Sequence, residues 1–319
     1  MDAVYFLVQQ MMFFSIPLLV VALGGMFSER SGVINIALEG IMVMGAFCSI
    51  LFINKMESFM SGQGLLILGV IIAAGSGLIF SLLHAYAAVN LRADQTISGT
   101  ALNMVAPAIA IYAARMLQSN GVQQVHFENT FRITKVPVLG DIPFIGPLLF
   151  QNTYITTYLG LVILIVAAFV LYKTKFGLRL RACGEHPQAA DSVGVNVRRI
   201  RYAGVMISGA LAGLGGLIFV VPTSTEFSQT VSGYGFLALA VLIFGQWKPL
   251  RIFLAALFFG LMKTIASAYS GIPFLSRLGI SSDVYKMIPF IATLIVLAFS
   301  SKNSQAPRAS GVPYDKGGR

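Results

Sequence analysis

Charge is what this chain of 319 residues has least of. Only 11% of its residues are Asp, Glu, Lys or Arg, against about 25% in an ordinary soluble domain. With 56% apolar residues and a mean hydropathy of +0.80, that scarcity excludes a water-soluble globule and implies a polytopic membrane protein. Cysteine is nearly absent: Cys48 lies in an apolar run and Cys183 in a charged one, which gives neither a disulfide framework nor a metal cluster. The three histidines, His84, His126 and His186, are scattered along the chain. No G-x-x-x-x-G-K-[ST] phosphate loop, H-E-x-x-H helix or nucleophile elbow occurs. The chain is therefore read as non-enzymatic, with no metal and no cofactor of its own. No cleavable signal is expected either, because Met1-Asp2 lacks a basic start and the first apolar run leads into Phe27-Ser28-Glu29-Arg30.

What is present is apolar sequence in blocks. Runs at about 3–26, 33–53, 64–90, 96–118, 154–172, 203–221, 233–246, 252–270 and 285–300 predict nine helices, within a range of eight to ten. Several fall short of the roughly 20 residues that a full span needs, 233–246 above all, so broken or tilted helices are expected. The segments 27–32, 91–95, 173–201, 247–251 and 302–319 hold fifteen Lys and Arg, and the opposite side holds five (Lys55, Arg132, Lys135, Arg277, Lys286). The net charge of +10 thus follows the positive-inside rule and does not call for nucleic acid. It predicts a cytoplasmic 173–201 segment, a cytoplasmic C-terminus and an external N-terminus. Residues 119–153, with charges of both signs and Pro137, Pro143 and Pro147, read as a folded external loop. The polar, Pro/Gly-rich tail 301–319 reads as disordered.

A weak internal repeat crosses these blocks. GLIFSLLHAY (77–86) aligns with GLMKTIASAY (260–269), and SGVINIALEG (31–40) with SGYGFLALAV (232–241). The predicted fold class is an all-α integral membrane protein built as an inverted 4+1+4 repeat. Halves 3–118 and 203–300 flank a linking helix, 154–172, in one transmembrane domain spanning 1–300. An inverted repeat belongs to transporters, with the path between halves.

Candidate path residues follow from polar groups in these runs. Asn35 and Glu39 are four apart and share a helix face. Because a lipid-facing carboxylate costs several kcal/mol, Glu39 faces protein, water or a partner. It either lines a path or hydrogen-bonds backbone at a broken helix end. Asn103 either meets cargo with its amide or clamps neighbouring helices. Tyr234, Gly235 and Phe236 begin the short helix of the second half and either stack a ring or pack closely. Lys263 replaces Phe80 in the repeat and either snorkels or lines a cavity.

The segment 173–201 is the longest charged stretch between apolar blocks. Its basic residues crowd the two ends, and its middle predicts a short helix from Glu185 or His186, through Pro187, to a stop at Gly194. The string GLRLRACGEHPQAADSVGVNV resembles the cytoplasmic coupling loop of ABC importer permeases, in the branch serving simple sugars, nucleosides and branched-chain amino acids. That loop runs G-x-x-x-R-A-x-G-E-x-P-x-A-A-x-x-x-G-I. The chain keeps Gly177, Arg181, Ala182, Gly184, Glu185, Pro187, Ala189, Ala190 and Gly194; His186 stands where Asn is usual and Val195 where Ile is usual. SERSGVINIALEGIMVMGAF (28–47) and RADQTISGTALNMVAP (92–107) are similar to the nucleoside and simple-sugar subgroup.

The resemblance covers most of 20–300. It implies a permease of the bacterial cytoplasmic membrane working with a cytoplasmic ABC ATPase, which would hold ATP and Mg. A second homologous permease and an extracytoplasmic substrate-binding protein would complete the assembly. It assigns ATPase coupling to Gly184, Glu185, His186, Pro187, Ala189, Ala190, Asp191 and Gly194, and leans to purine nucleosides over sugars as cargo. The alternative is an ion-coupled secondary carrier, for which Glu39 is the one candidate acid.

Overall fold

The structure, a computed structural model, describes residues 2–118, 121–268, 281–300 and 305–316. Tyr269 of the second repeat string, Arg277, and 301–304 and 317–319 of the tail lie outside the described residues.

Apolar runs become helices because only a helix pairs its own backbone away from water. They are α1 (Asp2–Arg30), α2 (Leu38–Met56), α3 (Gln63–Val89), α4 (Gln95–Leu117) and α5 (Ile155–Lys173), then α6 (Lys175–Glu185) and α7 (Pro187–Ser192). The chain continues through α8 (Val197–Thr223), α9 (Tyr234–Phe244), α10 (Pro249–Ala268) and α11 (Ser282–Ser300). Among the described residues seven are long and apolar enough to cross a membrane: α1 to α5, α8 and α10. The 11-residue α9 reaches only about 16 Å, roughly half a hydrocarbon core.

Helices that begin in charged loops carry their own caps. Asp94 accepts from the amides of Thr96 and Ile97 at 2.8 and 3.0 Å, Thr174 from Gly177 at 3.1 Å, and Asn196 from Arg199 at 3.0 Å. By contrast, α2 and α9 start without a local side-chain cap. Residues 31–37, expected partly as helix, leave α1 as turn and extended chain before α2 begins at Leu38.

The centre of the bundle is α8, packed on α1, α2 and α3. Small residues set that approach. A Cβ on Gly77 would run into the Gly209 carbonyl, one on Gly213 into the Ala73 carbonyl, and one on Gly45 into the Gly213 backbone. Helix backbones in van der Waals contact replace the hydrophobic drive that lipid does not supply. Outward faces are apolar instead: Ile79, Ile97, Met104 and Ile165 are each about two-thirds exposed or more, as a lipid boundary requires.

The end of the bundle away from α6 and α7 carries two antiparallel ribbons, so the fold is helical but not wholly so. β1 (Val125–His126) pairs with β4 (Glu226–Phe227), and β2 (Ile133–Lys135) with β3 (Gln151–Thr153).

Two expectations are corrected at the α6–α7 end. The single short helix expected at 173–201 is preceded by another, α6, whose signal was the Thr174 cap. Pro187 disfavours helical backbone at His186 (φ −142°, ψ 85°), which separates α6 from α7. Gly194 (φ 84°) then turns the chain into α8. The tail expected to be disordered is laid against this end over 305–316, because its backbone and side chains find partners there.

Gly213→Leu is expected to cost at least the 1–3 kcal/mol typical of overpacking, about, since two backbones meet its α-carbon. The check is the thermal midpoint of the detergent-extracted protein by size exclusion. An unshifted midpoint would remove these contacts from the account of the bundle.

Candidate functional site

Two polar layers stand out, one inside the bundle and one at the α6–α7 end. The inner layer is built where the chain stops being helical. The amides of residues 31–33 still bond back to the Ser28 and Glu29 carbonyls of α1; beyond them, side chains of α3 and α4 serve the main chain of Ile34 and Ile36, and α8 reaches the Asn35 side chain. Ile34 donates its N–H to Gln95 Oε1 at 2.7 Å, and its carbonyl lies 2.8 Å from His84 Nε2. Asn35, fully buried, accepts from the Ala37 amide at 3.1 Å and donates to Ser208 Oγ on α8 at 2.9 Å. Asn103 on α4 donates to the Ile36 carbonyl at 2.9 Å and accepts from the Gly40 amide at 2.7 Å. It therefore bridges the end of the extended segment and the first turn of α2.

Glu39 lies in that same first turn and reaches the start of α9. Its Oε1 accepts from the Gly233 amide at 2.9 Å and its Oε2 from the Gly235 amide at 2.6 Å. A carboxylate at a helix N-terminus meets unpaired N–H groups and the positive end of the helix dipole. The contact is close: a Cβ on Gly235 would fall within the Glu39 backbone. Gly233, at φ 78°, turns the chain into the helix in a conformation that glycine adopts freely. Two helices that lack local caps are thus joined, with Asn103 serving α2 and Glu39 serving α9.

Tyr234 is buried against Phe219, ring centroids 4.2 Å apart, and Lys263 Nζ sits 5.8 Å from the same ring. Its hydroxyl has no hydrogen-bond partner among the described residues. Phe236, two residues on, is half exposed. Asn35, Glu39, Asn103, Tyr234 and Gly235 are therefore gathered around the α2–α9 junction, with Phe236 on its open side. Gln95, His84 and Ser208 belong to the same layer and were missed. Their signal lay in RADQTIS and in a histidine within an apolar run, but single polar residues there do not reveal which backbone they serve.

At the other layer, α7 presents an open edge. His186, Ala189, Val193 and Gly194 are exposed, Val193 at 79%, while Gly184, Pro187 and Ala190 face inward; Glu185 and Asp191 are partly covered. Gly184 has no room for a side chain, because a Cβ would collide with the Arg30 carbonyl. Arg30 pairs with Glu185 at 3.7 Å and donates to the Trp247 carbonyl at 3.1 Å, and Trp247 donates to Glu29 at 2.6 Å. Beneath α6 and α7, Cys183 packs with Ala190, Val197 and Tyr314, and burial pushes its thiol up to about 11. Val193, just past the end of α7, belongs to none of the motif positions and leaves an apolar side chain in the open.

Residues 7–297 match the family described as branched-chain amino acid transport system / permease component. The guanosine ABC transporter permease protein NupQ of Bacillus subtilis is 43% identical over 308 residues, covering 96% of this chain and 95% of that protein. The nucleoside ABC transporter permease protein NupC of Lactococcus lactis subsp. cremoris is 43% identical over 311 residues, 97% and 96% of the two chains. A putative glucose ABC transporter permease protein of Haloferax volcanii, TsgC13, is 29% identical over 318 residues, 91% and 90%. No solved structure matches the chain.

Asn103→Ala would leave the Gly40 amide and the Ile36 carbonyl without partners, at about 1–3 kcal/mol for each group. Glu39→Gln keeps a single carbonyl oxygen where two acceptors served two amides. Both variants are expected to lower the thermal midpoint in detergent by several degrees. Met104→Ala, on the exposed face beside Asn103, serves as the unshifted control. Midpoints for all three that match the parent would show that the junction is not what holds α2 and α9.

Proposed function

Because the chain belongs to the family of the branched-chain amino acid transport system permease component, we propose that it is the membrane-spanning subunit of an ATP-driven importer carrying nucleosides. The observation that carries the cargo is the 43% identity, over nearly the whole of each chain, to permeases named for guanosine and for nucleosides. The glucose-named relative stands at 29%. Purine nucleosides are favoured by the guanosine name.

In this reading α6 and α7 are cytoplasmic and α7 is the coupling helix. His186, Ala189 and Val193 form the edge that enters a cleft of a separate ATPase, which holds ATP and Mg. Gly184 and Glu185 seat that helix on Arg30, and Pro187, Ala190, Asp191 and Gly194 fix its shape. Closure of the ATPases pushes α7. The two halves of the permease then rock about the Glu39 junction and alternate its access. A second, homologous permease and an extracytoplasmic binding protein complete the assembly, with the N-terminus outside and the C-terminus inside.

The inverted repeat is supported by two correspondences. Gly77 of α3 abuts α8, and its repeat partner Gly260 of α10 abuts Ser15 of α1, as expected if α1 and α8 are equivalent. Likewise α2 and α9, which hold the paired strings 31–40 and 232–241, both begin inside the bundle after extended chain. An ion-coupled carrier is disfavoured because Glu39, its one candidate acid, has both oxygens committed to α9 amides.

Cells lacking this chain are expected to lose uptake of labelled guanosine that the parent shows, with uptake competed by unlabelled nucleosides and abolished by ATP depletion. Retained guanosine uptake with lost ribose uptake would overturn the cargo. Ala189→Arg, on the exposed edge of α7, should insert normally and lower uptake at least about tenfold while the ATPases still hydrolyse ATP. Undiminished uptake in that variant would remove α7 from the coupling role.

A further inference from the structure

Residues 305–316 touch nearly every element at the α6–α7 end. The Gln305 amide donates to Gln246 Oε1, in the turn between α9 and α10, at 2.9 Å. The Ala309 amide donates to the Gly184 carbonyl, in the last turn of α6, at 2.8 Å. Two residues on, the Gly311 amide donates to the Gly32 carbonyl, where the extended segment leaves α1, at 3.2 Å. Arg201, at the start of α8, donates to the Val312 carbonyl at 2.9 Å and lies 5.9 Å from the Tyr314 ring centroid. Asp315 takes two bonds from Arg92, in the α3–α4 loop, both 2.9 Å, and Lys316 lies 3.9 Å from Asp191 of α7.

Two features make this more than a tail lying on a surface. Ala309 and Gly311 are two residues apart, a reach of about 7 Å at most. They bond backbone to backbone on both sides, so α6 cannot move far from Gly32 without breaking one bond or carrying Gly32 along. Arg201 is 1% exposed, and its Nε and Nη2 have no hydrogen-bond partner among the described residues. A buried cation depends on what contacts it has, and the 305–316 segment supplies a carbonyl and an aromatic face.

We propose that residues 305–316 are a coupling strap that carries displacement of α6 and α7 to the 31–37 segment, with Arg201 and the Arg92–Asp315 pair as its anchors. The inference rests on the reading of the chain as an ATP-driven permease. It adds the route from the ATPase contact to the inner polar layer. Gly184 and Glu185 already abut Arg30 at the end of α1, a packing contact and a 3.7 Å ion pair. The strap adds a hydrogen-bonded path beside it, from Gly184 through Ala309 and Gly311 to Gly32, three residues before Asn35.

The test uses the full chain with Cys48→Ser, which leaves Cys183 as the sole thiol, and three readouts. Fluorescein-maleimide labelling of Cys183 in detergent at pH 8 reports whether the strap is seated. Hydrogen exchange of peptides covering 31–37 reports the link. Guanosine uptake per inserted chain reports its use. A chain ending at Ser304, and the single variants Arg92→Asp and Asp315→Arg, are expected to label at least about tenfold faster, as the thiol returns toward its ordinary range near 8.5. They should exchange 31–37 at least about tenfold faster and lose uptake about fivefold or more. The reciprocal double variant, R92D with D315R, should restore all three, which loss of fold would not allow.

Faster labelling with unchanged exchange at 31–37 would overturn the strap as a link. Faster exchange with unchanged uptake would overturn its role in coupling. Labelling that no variant alters would show that the segment is not held through these anchors, which also overturns the proposal. An unmodified chain that takes up no guanosine, with labelling and exchange behaving as expected, sinks the cargo assignment and supports the link.

Discussion

A backbone amide or carbonyl away from water has to find a partner, and this chain breaks its helices twice where water is scarce. Everything distinctive about the inner layer follows from that requirement. Residues 31–37 and the turn before α9 expose main-chain groups that a continuous helix would have paired. Asn35, Asn103, Gln95, His84 and Glu39 are the side chains that serve them. Their positions are fixed by backbone geometry to within a hydrogen bond's tolerance. One donor and one acceptor of each asparagine, and both oxygens of Glu39, are committed before any cargo arrives. The polar residues in the apolar runs are therefore joints first. The joint is also close: Gly235 lies against the Glu39 backbone, so α2 and α9 meet main chain to main chain as well as through these hydrogen bonds.

The surroundings of the joint are stiffer still. The contact of α8 with α2 and α3 is backbone against backbone at Gly45, Gly77, Gly209 and Gly213, and such surfaces tolerate little sliding because no flexible side chain lies between them. Arg201 at the start of α8 and Ser208 further along tie that rigid centre to the strap and to Asn35 respectively. The bundle is thus held most closely at α8, with residues 305–316 and Asn35 both tied to it.

Much of this was legible in sequence, and the division between what was and was not has a physical basis. Apolar runs fixed where the long helices lie because lipid imposes length and polarity together. Pro187 and Gly194 marked α7 because proline and left-handed glycine have local consequences. The start of α2 was misjudged by five residues: Val33, Ile34 and Ile36 are as apolar as any helix, and nothing in them announces extended chain. The break is stabilised by Asn103 and Gln95, sixty and more residues away. The two readings of Glu39 and Asn103 stayed open for the same reason. Chemistry narrows an amide to donor and acceptor, but only tertiary contact says whose.

The tail shows the converse. A polar, Pro/Gly-rich dozen residues cannot bury enough apolar surface to order itself, and that inference about the isolated segment is sound. It fails here because order is supplied from outside. Gly184 and Gly32 offer carbonyls, Arg201 offers a buried cation short of partners, and Arg92 and Asp191 offer opposite charges to Asp315 and Lys316. Glycine and proline suit such a segment, since Gly311 takes φ 78° and Pro307 has no amide that would need a partner against Gly184. The entropy cost of ordering 305–316 is met by groups that would otherwise be strained or unpaired on the body of the protein. Composition measures what a segment can do for itself, and says nothing of what the rest of the chain needs it to do.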